Sequence, residues 1–385
     1  MTSVPIIWTN IKDGNRVFSV FHHAIPNAYK DVASRLLVIP DRWDCDLPER
    51  SGCFLVAEEM RRFIGNDAEC IVVAKLPVLD DGDVVFVDGN LKRLEVVFNI
   101  RGNTNSLYVT NACNSKCQFC PQPSTVDDGW LYDVSGNIID LVRTPGECVN
   151  ITGGEPTIRR DKFIELLRKF SCKWGQTKAF VLTNGRLLSD PSYVADIFSA
   201  INHDCVAFGI PLYADAACAH DNVVGVNGAF GQTVRGLYNL AAYHAEIEIR
   251  FVLSRITYKR LPLLVQYIGR NLPFVTRIAV MGIEPMGYCR SEWERYWVDP
   301  EDAENEIMHA VSIARNFALD VLLYNFQLCC LPRALRQYAC SSISEWKRVY
   351  IDDCLYCPMK SDCGGFFASQ NSPKYLPRRF SHCGN

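Results

Sequence analysis

Eighteen of the 385 residues are cysteine, and three of them stand together as Cys113, Cys117 and Cys120. The run Asn111-Ala-Cys113-Asn-Ser-Lys-Cys117-Gln-Phe119-Cys120 spaces them as C-x3-C-x2-C on one short polar loop. Three thiolates so placed can wrap three corners of a cubane iron–sulfur cluster and leave one iron without a protein ligand. A structural zinc site wants a fourth Cys or His to close its tetrahedron. The twenty residues after Cys120 contain neither. Packing as small buried hydrophobes is a third reading, which suits a polar loop poorly. The N-terminal stretch MTSVPIIWTNIKDGNRVF has no basic region followed by an apolar one, so no secretory signal is expected. In a long chain of that kind, cysteine richness points to metal or redox chemistry rather than disulfides, and to a cytoplasmic location.

Charge and hydropathy exclude other classes. The formal net charge is −3, which argues against a nucleic-acid binder working by bulk charge. No run of eighteen apolar residues exists to span a membrane. A hydrophobic share of 48% is enough for a sizeable core, and the length suggests two or three domains.

Short apolar runs rich in β-branched and aromatic residues predict strands at Ser106–Thr110, Glu147–Thr152, Lys178–Thr183, Cys205–Ile210, Glu246–Leu253, Thr276–Met281 and Asp320–Asn325. Helical faces lie between them. Phe163, Leu166, Leu167 and Phe170 form one, with Asp161 as its expected N-cap. Leu261, Leu264, Val265 and Ile268 form a second, and Ala303, Ile307, Ala310, Val311 and Ala314 a third. Alternation of this kind predicts an α/β fold with a parallel sheet, either a partial (β/α)6 barrel or a doubly wound open sheet, with chemistry at the C-terminal strand ends. Residues 1–100 differ. Asp83–Asp88 and Leu94–Ile100 read as a hairpin turning at Gly89-Asn90, and a helix is expected around Val56–Ile64. The expected division is therefore an accessory α+β domain over 1–100, a barrel over 101–325 and a cysteine-rich domain over 326–385.

The triplet and its setting resemble the radical S-adenosylmethionine (radical SAM) superfamily, whose cysteine loop follows the first strand of a partial (β/α)6 barrel. Three further motifs carry the resemblance. Thr152-Gly153-Gly154-Glu155-Pro156-Thr157 ends the second strand and is similar to the superfamily's GGEP motif. Thr183-Asn184-Gly185 ends the third. Met281-Gly282-Ile283-Glu284-Pro285 follows the sixth. Adjacent glycines let a main chain approach a ligand closely, and a strand-end carboxylate can pair with an ammonium. The resemblance implies a 4Fe-4S cluster on Cys113, Cys117 and Cys120, with S-adenosyl-L-methionine chelated on the open iron. It implies that Phe119 packs near the adenine and that Gly153, Gly154, Glu155 and Pro156 receive the methionine amino group. Asn184 joins the cofactor-binding set. Arg250 either binds the methionine carboxylate or forms an ordinary ion pair of the barrel. One-electron cleavage would then yield a 5′-deoxyadenosyl radical that abstracts hydrogen from the substrate.

Seven cysteines follow residue 325. Cys354-Leu-Tyr-Cys357-Pro-Met-Lys-Ser-Asp-Cys363 gives C-x2-C-x5-C, preceded by the pair Cys329-Cys330. Four such ligands close a complete cluster or a zinc site. The segment resembles the SPASM and twitch extensions of radical enzymes, which carry auxiliary clusters. The full SPASM pattern continues with a cysteine where this chain has Phe367, so one auxiliary 4Fe-4S cluster is expected. Its ligands would be Cys329, Cys354, Cys357 and Cys363, with Cys330 as the substitute for Cys329. Eleven cysteines remain without an assigned role; Cys340 and Cys383 lie in this same segment.

The finer resemblance is to the radical maturases of the His-Xaa-Ser peptide system, C-type subfamily. Residues 105–123, 220–240, 279–288, 324–332 and 342–369 carry it, with the 82–90 hairpin in support. That family usually has Met where this chain has Phe119. The resemblance implies a ribosomally made precursor peptide as substrate, an electron donor such as a flavodoxin or ferredoxin, and a second radical maturase as partner. His220, Asp221, Tyr213 and Asp215 lie where substrate could approach, or form a hydrogen-bonded loop. A sulfatase-type protein maturase, an RNA modifier and a zinc-binding interaction protein are the competing readings. The last sixty residues carry eight Lys/Arg against four Asp/Glu, a modest basic excess that would suit RNA or an acidic leader peptide.

Overall fold

The computed structural model describes residues 3–9, 15–21, 35–39, 53–58, 70–88 and 91–380. The chain divides into two units. One comprises Met1–Val109, Gly129–Ile151 and Arg168–Lys178; the other comprises Thr110–Asp128, Thr152–Leu167 and Ala179–Asn385.

In the first unit seven strands close into a barrel: β1 (Ser3–Thr9), β2 (Asn15–Phe21), β3 (Arg35–Ile39), β4 (Cys53–Ala57), β5 (Cys70–Val73), β6 (Val84–Asp88) and β7 (Arg93–Phe98), in the order β1-β5-β4-β3-β2-β6-β7. Strands β2 to β5 run parallel to their neighbours, and β6, β7 and β1 complete the circuit antiparallel. Closure leaves no unpaired edge. Phe18, Leu36, Leu55, Ile71, Val85 and Leu94 fill the core. The expected hairpin is present: β6 pairs with β7 from Val84↔Phe98 to Asp88↔Arg93. Its turn at Gly89-Asn90 lies outside the described residues. The helix expected around Val56–Ile64 is not found at its start, because Val56 and Ala57 end strand β4; residues 59–64 lie outside the described residues. Cys53-Phe-Leu-Val-Ala57 is apolar throughout and buried throughout, so its pattern cannot separate a strand from a helix.

The alternating elements begin with β8 (Asn105–Tyr108), α1 (Trp130–Leu141), β9 (Cys148–Thr152) and α2 (Arg160–Lys173). They continue with β10 (Lys178–Leu182), α3 (Pro191–Ala200), β11 (Val206–Pro211), α4 (Ala217–Val224), α5 (Ala229–Ala241), β12 (Glu246–Leu253), α6 (Leu261–Asn271), β13 (Arg277–Gly282), α7 (Tyr288–Ser291), α8 (Trp293–Tyr296), α9 (Glu304–Arg315), β14 (Asp320–Tyr324) and β15 (Ala339–Cys340). The antiparallel pair β16 (Arg348–Val349) and β17 (Phe366–Phe367) follows. Each expected strand of this region is found within about two residues of its sequence bounds. Asp161 lies inside the first turn of α2 rather than at its cap, where its charge still favours the helix N-terminus.

Strands β10 to β15 are parallel, each paired with the next in sequence. Their side chains alternate between two environments. Gly209, Pro211, Arg250, Val252 and Met281 face a cavity. Phe208, Ile210, Ile249, Phe251 and Val280, one residue away, are buried. One cavity face and one packed face is the arrangement of a barrel wall; a doubly wound sheet would pack helices on both. Among the described residues no helix is long and apolar enough to cross a membrane.

Candidate functional site

The cysteine loop is held by the chain's own hydrogen bonds. Asp127 accepts from the Thr110 hydroxyl at 2.7 Å, from the Ala112 amide at 3.1 Å and from the Asn111 amide. Further along, the Lys116 and Gln118 amides donate to the Val224 and Val223 carbonyls, both at 2.9 Å. The loop is thus strapped to the end of α4. Gly225, at φ 72°, makes that approach possible, since a β-carbon there would meet the Lys116 carbonyl at 2.9 Å. Asp127 carries no motif and could not be found from sequence.

Cys113, Cys117 and Cys120 all line one cavity of about 270 Å³. Burial pushes the Cys113 thiol up to about 11 and that of Cys117 to about 12, and raises Cys120 as well. The neighbouring thiols reinforce the rise at Cys113 and Cys117, which marks the three as electrostatic neighbours. Iron must displace these protons, so metal loading couples to pH. Among the described residues no group of three or more His, Cys, Asp and Glu is drawn together around a single-ion position. The fit of the triplet to a cluster rests on its donor set: three soft ligands on one cavity wall, with free space before them.

The main chain of Gly153 and Gly154 forms another part of that wall. The Gly154 amide donates to the Thr110 carbonyl at 2.7 Å and the Glu155 amide to the Ala112 carbonyl at 2.8 Å. A β-carbon at Gly153 would stand 2.5 Å from the Thr110 carbonyl oxygen, and one at Gly154 would fall on the Ala112 carbonyl. The two glycines are therefore required for contact with the cysteine loop. Glu155 is fully buried and does not line the cavity. Its carboxylate accepts from the Thr157 hydroxyl and the Thr183 hydroxyl, both at 2.6 Å, from the Thr157 amide at 3.0 Å and from the Asn184 amide at 2.7 Å. Burial raises its pKa, and these four donors oppose the rise. The structure gives Glu155 a positioning task, tying the ends of β9 and β10, and leaves the Gly153–Gly154 backbone to face a ligand. Pro156 is likewise buried.

Asn184 reaches the loop from its other side. Its Nδ2 donates to Asn114 Oδ1 at 2.7 Å and Ser115 Oγ at 3.3 Å, and lies 4.0 Å from Cys113 Sγ. Arg186 adds bonds to the Asn114 carbonyl and to Ser115 Oγ, the latter at 3.0 Å. Phe119 lines the cavity, held edge-on by Tyr213 at 5.7 Å and Tyr296 at 5.5 Å. Arg250 forms the ion pair that is one of its two sequence readings, its NH1 meeting Glu248 Oε1 at 2.9 Å, and it also faces the cavity.

In the C-terminal segment Cys329, Cys354, Cys357 and Cys363 line one small cavity, and Cys330 does not. Cys330 turns into a core with Phe366 and Phe380. Its thiol hydrogen-bonds to that of Cys329, which, with Arg379 and Arg336 nearby, holds the Cys329 thiol below its ordinary pKa. Arg379 also donates to the Cys329 carbonyl at 3.0 Å. Cys340 ends β15, and Cys383 lies outside the described residues.

The four substrate candidates form a framework. His220 is buried, accepts the Tyr213 amide at Nδ1 at 3.2 Å, and has its pKa pushed down to about 4 by burial. Asp221 binds the Gly228 and Phe230 amides at 2.6 and 2.7 Å, capping α5. Asp215 pairs with Arg260 at 2.7 Å.

The Radical SAM superfamily model matches residues 107–258. That stretch is a radical SAM domain, and domains of this family take a 4Fe-4S cluster and S-adenosylmethionine. A probable GTP 3′,8-cyclase of Saccharolobus solfataricus is 28% identical over 153 residues, 38% of this chain and 46% of that protein. The GTP 3′,8-cyclase of Mannheimia succiniciproducens is 36% identical over 85 residues, 20% of this chain and 25% of that protein. The chain spans about half the length, or less, of the curated relatives it matches. Streptococcus suis SuiB bound to S-adenosylmethionine is similar in fold, with a TM-score of 0.52 and 16% identity over 74% of this chain and 78% of that one.

Proposed function

We propose that the protein is a radical S-adenosylmethionine enzyme that modifies a ribosomally made precursor peptide of the His-Xaa-Ser type. The observation that carries the enzyme reading is the meeting of Cys113, Cys117 and Cys120 with the Gly153–Gly154 backbone and Arg250 around one cavity. When bound, the cluster and S-adenosylmethionine supply a hydrogen-abstracting radical. The chain's own residues position and shield. The glycine backbone offers carbonyls to an amino group. Arg250 keeps guanidinium donors beyond the one given to Glu248, suited to a carboxylate. Asn184 and Arg186 fix the cysteine loop, and Phe119 offers an aromatic wall. Cys329, Cys354, Cys357 and Cys363 hold one auxiliary 4Fe-4S cluster, with Cys330 supporting Cys329. In this reading residues 1–100 are the accessory domain, 101–325 the barrel and 326–385 the cluster domain. A flavodoxin or ferredoxin supplies electrons, and a second radical maturase shares the peptide.

The names of the curated relatives favour a second reading, with GTP as substrate. The charge of the cavity supports the peptide instead. Among the described residues its only lining cations are Lys116 and Arg250, and Glu248 offsets Arg250. A triphosphate needs more positive charge than that. Coexpression with a His-Xaa-Ser precursor, followed by mass spectrometry in deuterated medium, tests the choice. A shifted mass, or deuterium gained on the peptide beyond a no-enzyme control, is expected. An unchanged peptide together with consumption of GTP overturns the peptide reading.

A further inference from the structure

The segment between β13 and α8 is tied down on both sides yet presents two large side chains outward. Ile283, Pro285 and Cys289 are buried, whereas Met286 is 39% and Tyr288 49% exposed. Glu284 anchors the segment through Lys347 at 3.0 Å, and the Cys289 thiol donates to the Gln118 carbonyl at 3.6 Å. Gly287, at φ 55°, brings this backbone against the cysteine loop; a β-carbon there would fall on the Cys120 carbonyl. Tyr288 is consequently fixed at the rim of the cavity, on the side of Cys120 and Pro121.

The segment's charges are spent elsewhere. Lys347 neutralises Glu284, and the Arg290 guanidinium lies 5.5 Å from the Tyr375 ring centroid. At the rim Tyr288 presents a half-exposed phenol ring, an aromatic face suited to another planar group, on the same cavity as the exposed ammonium of Lys116. With a cofactor held against the cysteine loop and the glycines, substrate reaches it from the open side of the cavity, where Tyr288 is exposed.

We propose that Tyr288 receives a planar side chain of the substrate and sets specificity for it; on the reading above, that group is the imidazole of a His-Xaa-Ser repeat. The test uses the reconstituted holoprotein with S-adenosylmethionine and a fluorescent His-Xaa-Ser precursor. Tyr288→p-benzoylphenylalanine should crosslink on irradiation to the His-Xaa-Ser segment. Tyr288→Ala should weaken peptide binding about 2- to 12-fold, and Tyr288→Phe should restore it. Iron content, read optically, checks that each variant is loaded. If the parent binds peptide while position 288 crosslinks only to S-adenosylmethionine or to this chain, and Tyr288→Ala binds as the parent does, the inference is overturned and the peptide reading stands. If the loaded parent binds no peptide, the substrate reading falls and this inference with it.

Discussion

Cys113, Cys117 and Cys120 stand on a cavity of about 270 Å³ with exposed Lys116 and Tyr288 at its rim, whereas Cys329, Cys354, Cys357 and Cys363 close on a space of about 10 Å³. The first set is three thiols and a glycine backbone; the second is four thiols and no comparable opening. A site with three protein ligands and room before them can accept a further ligand, and one that is fully ringed cannot. Support differs too. The triplet is strapped by the Val223 and Val224 carbonyls, which accept from the Gln118 and Lys116 amides, and by the Asp127 carboxylate. The quartet gathers thiols from a turn at 329 and a loop at 354–363, with Arg379 and Arg336 beside Cys329. The comparison teaches that similar ligands acquire different chemistry from the space left around them.

Variants can break this comparison. Replacing any one cysteine of the triplet with Ala should remove one cluster and all cofactor cleavage, lowering bound iron from about eight to about four per chain by iron analysis. Cys329→Ala should cost a similar amount of iron while keeping the triplet's spectrum, and Cys330→Ala should keep both clusters. Equal iron loss from the two would contradict the assignment of Cys329. Gly154→Ala must displace the Ala112 carbonyl and with it the cysteine loop. A cost of about 1–3 kcal/mol in stability and about 100-fold in cofactor cleavage is expected. Asn184→Ala leaves the loop's main-chain strap intact and should cost about 1 kcal/mol in denaturant melts. It should slow cleavage by a factor of about ten, less than Gly154→Ala does.

The effect furthest from the chemistry, confined to acid stability, concerns His220, whose pKa burial holds near 4, with Arg186 helping and Asp221 opposing. The unfolded chain protonates this group near pH 6.5 and the native chain does not. Stability from His220 is therefore complete above pH 6.5 and lost as pH falls toward 4, by about 3 kcal/mol at most. His220→Gln should flatten the acid limb of the stability profile measured by urea unfolding. An unchanged limb would remove His220 from the framework around Tyr213.

Local pattern revealed the cysteine triplet, the paired glycines and the strand series, because each rests on spacing within a few residues. Glu246–Leu253 reads as a strand from its own composition and is one. The closed barrel of β1–β7 was not legible, since closure depends on β1 pairing with both β5 and β7 across more than sixty residues. The part played by Glu155 was hidden for the same reason: its partners at Thr183 and Asn184 arrive from the next strand. Segment 220–240 stood out in sequence, but only the fold reveals that Val223 and Val224 hold the cysteine loop. The choice of Cys329 over Cys330 followed a motif match; in the structure Cys329 lines the small cavity and Cys330 does not.

The account turns on the claim that the open site at Cys113, Cys117 and Cys120 cleaves S-adenosylmethionine. Anaerobically reconstituted protein, reduced in the presence of S-adenosylmethionine, should release 5′-deoxyadenosine, measured by chromatography and mass spectrometry. Cys113→Ala, handled identically, should release none. A fully iron-loaded parent that leaves S-adenosylmethionine intact, or a Cys113→Ala variant that cleaves it as the parent does, would contradict the claim.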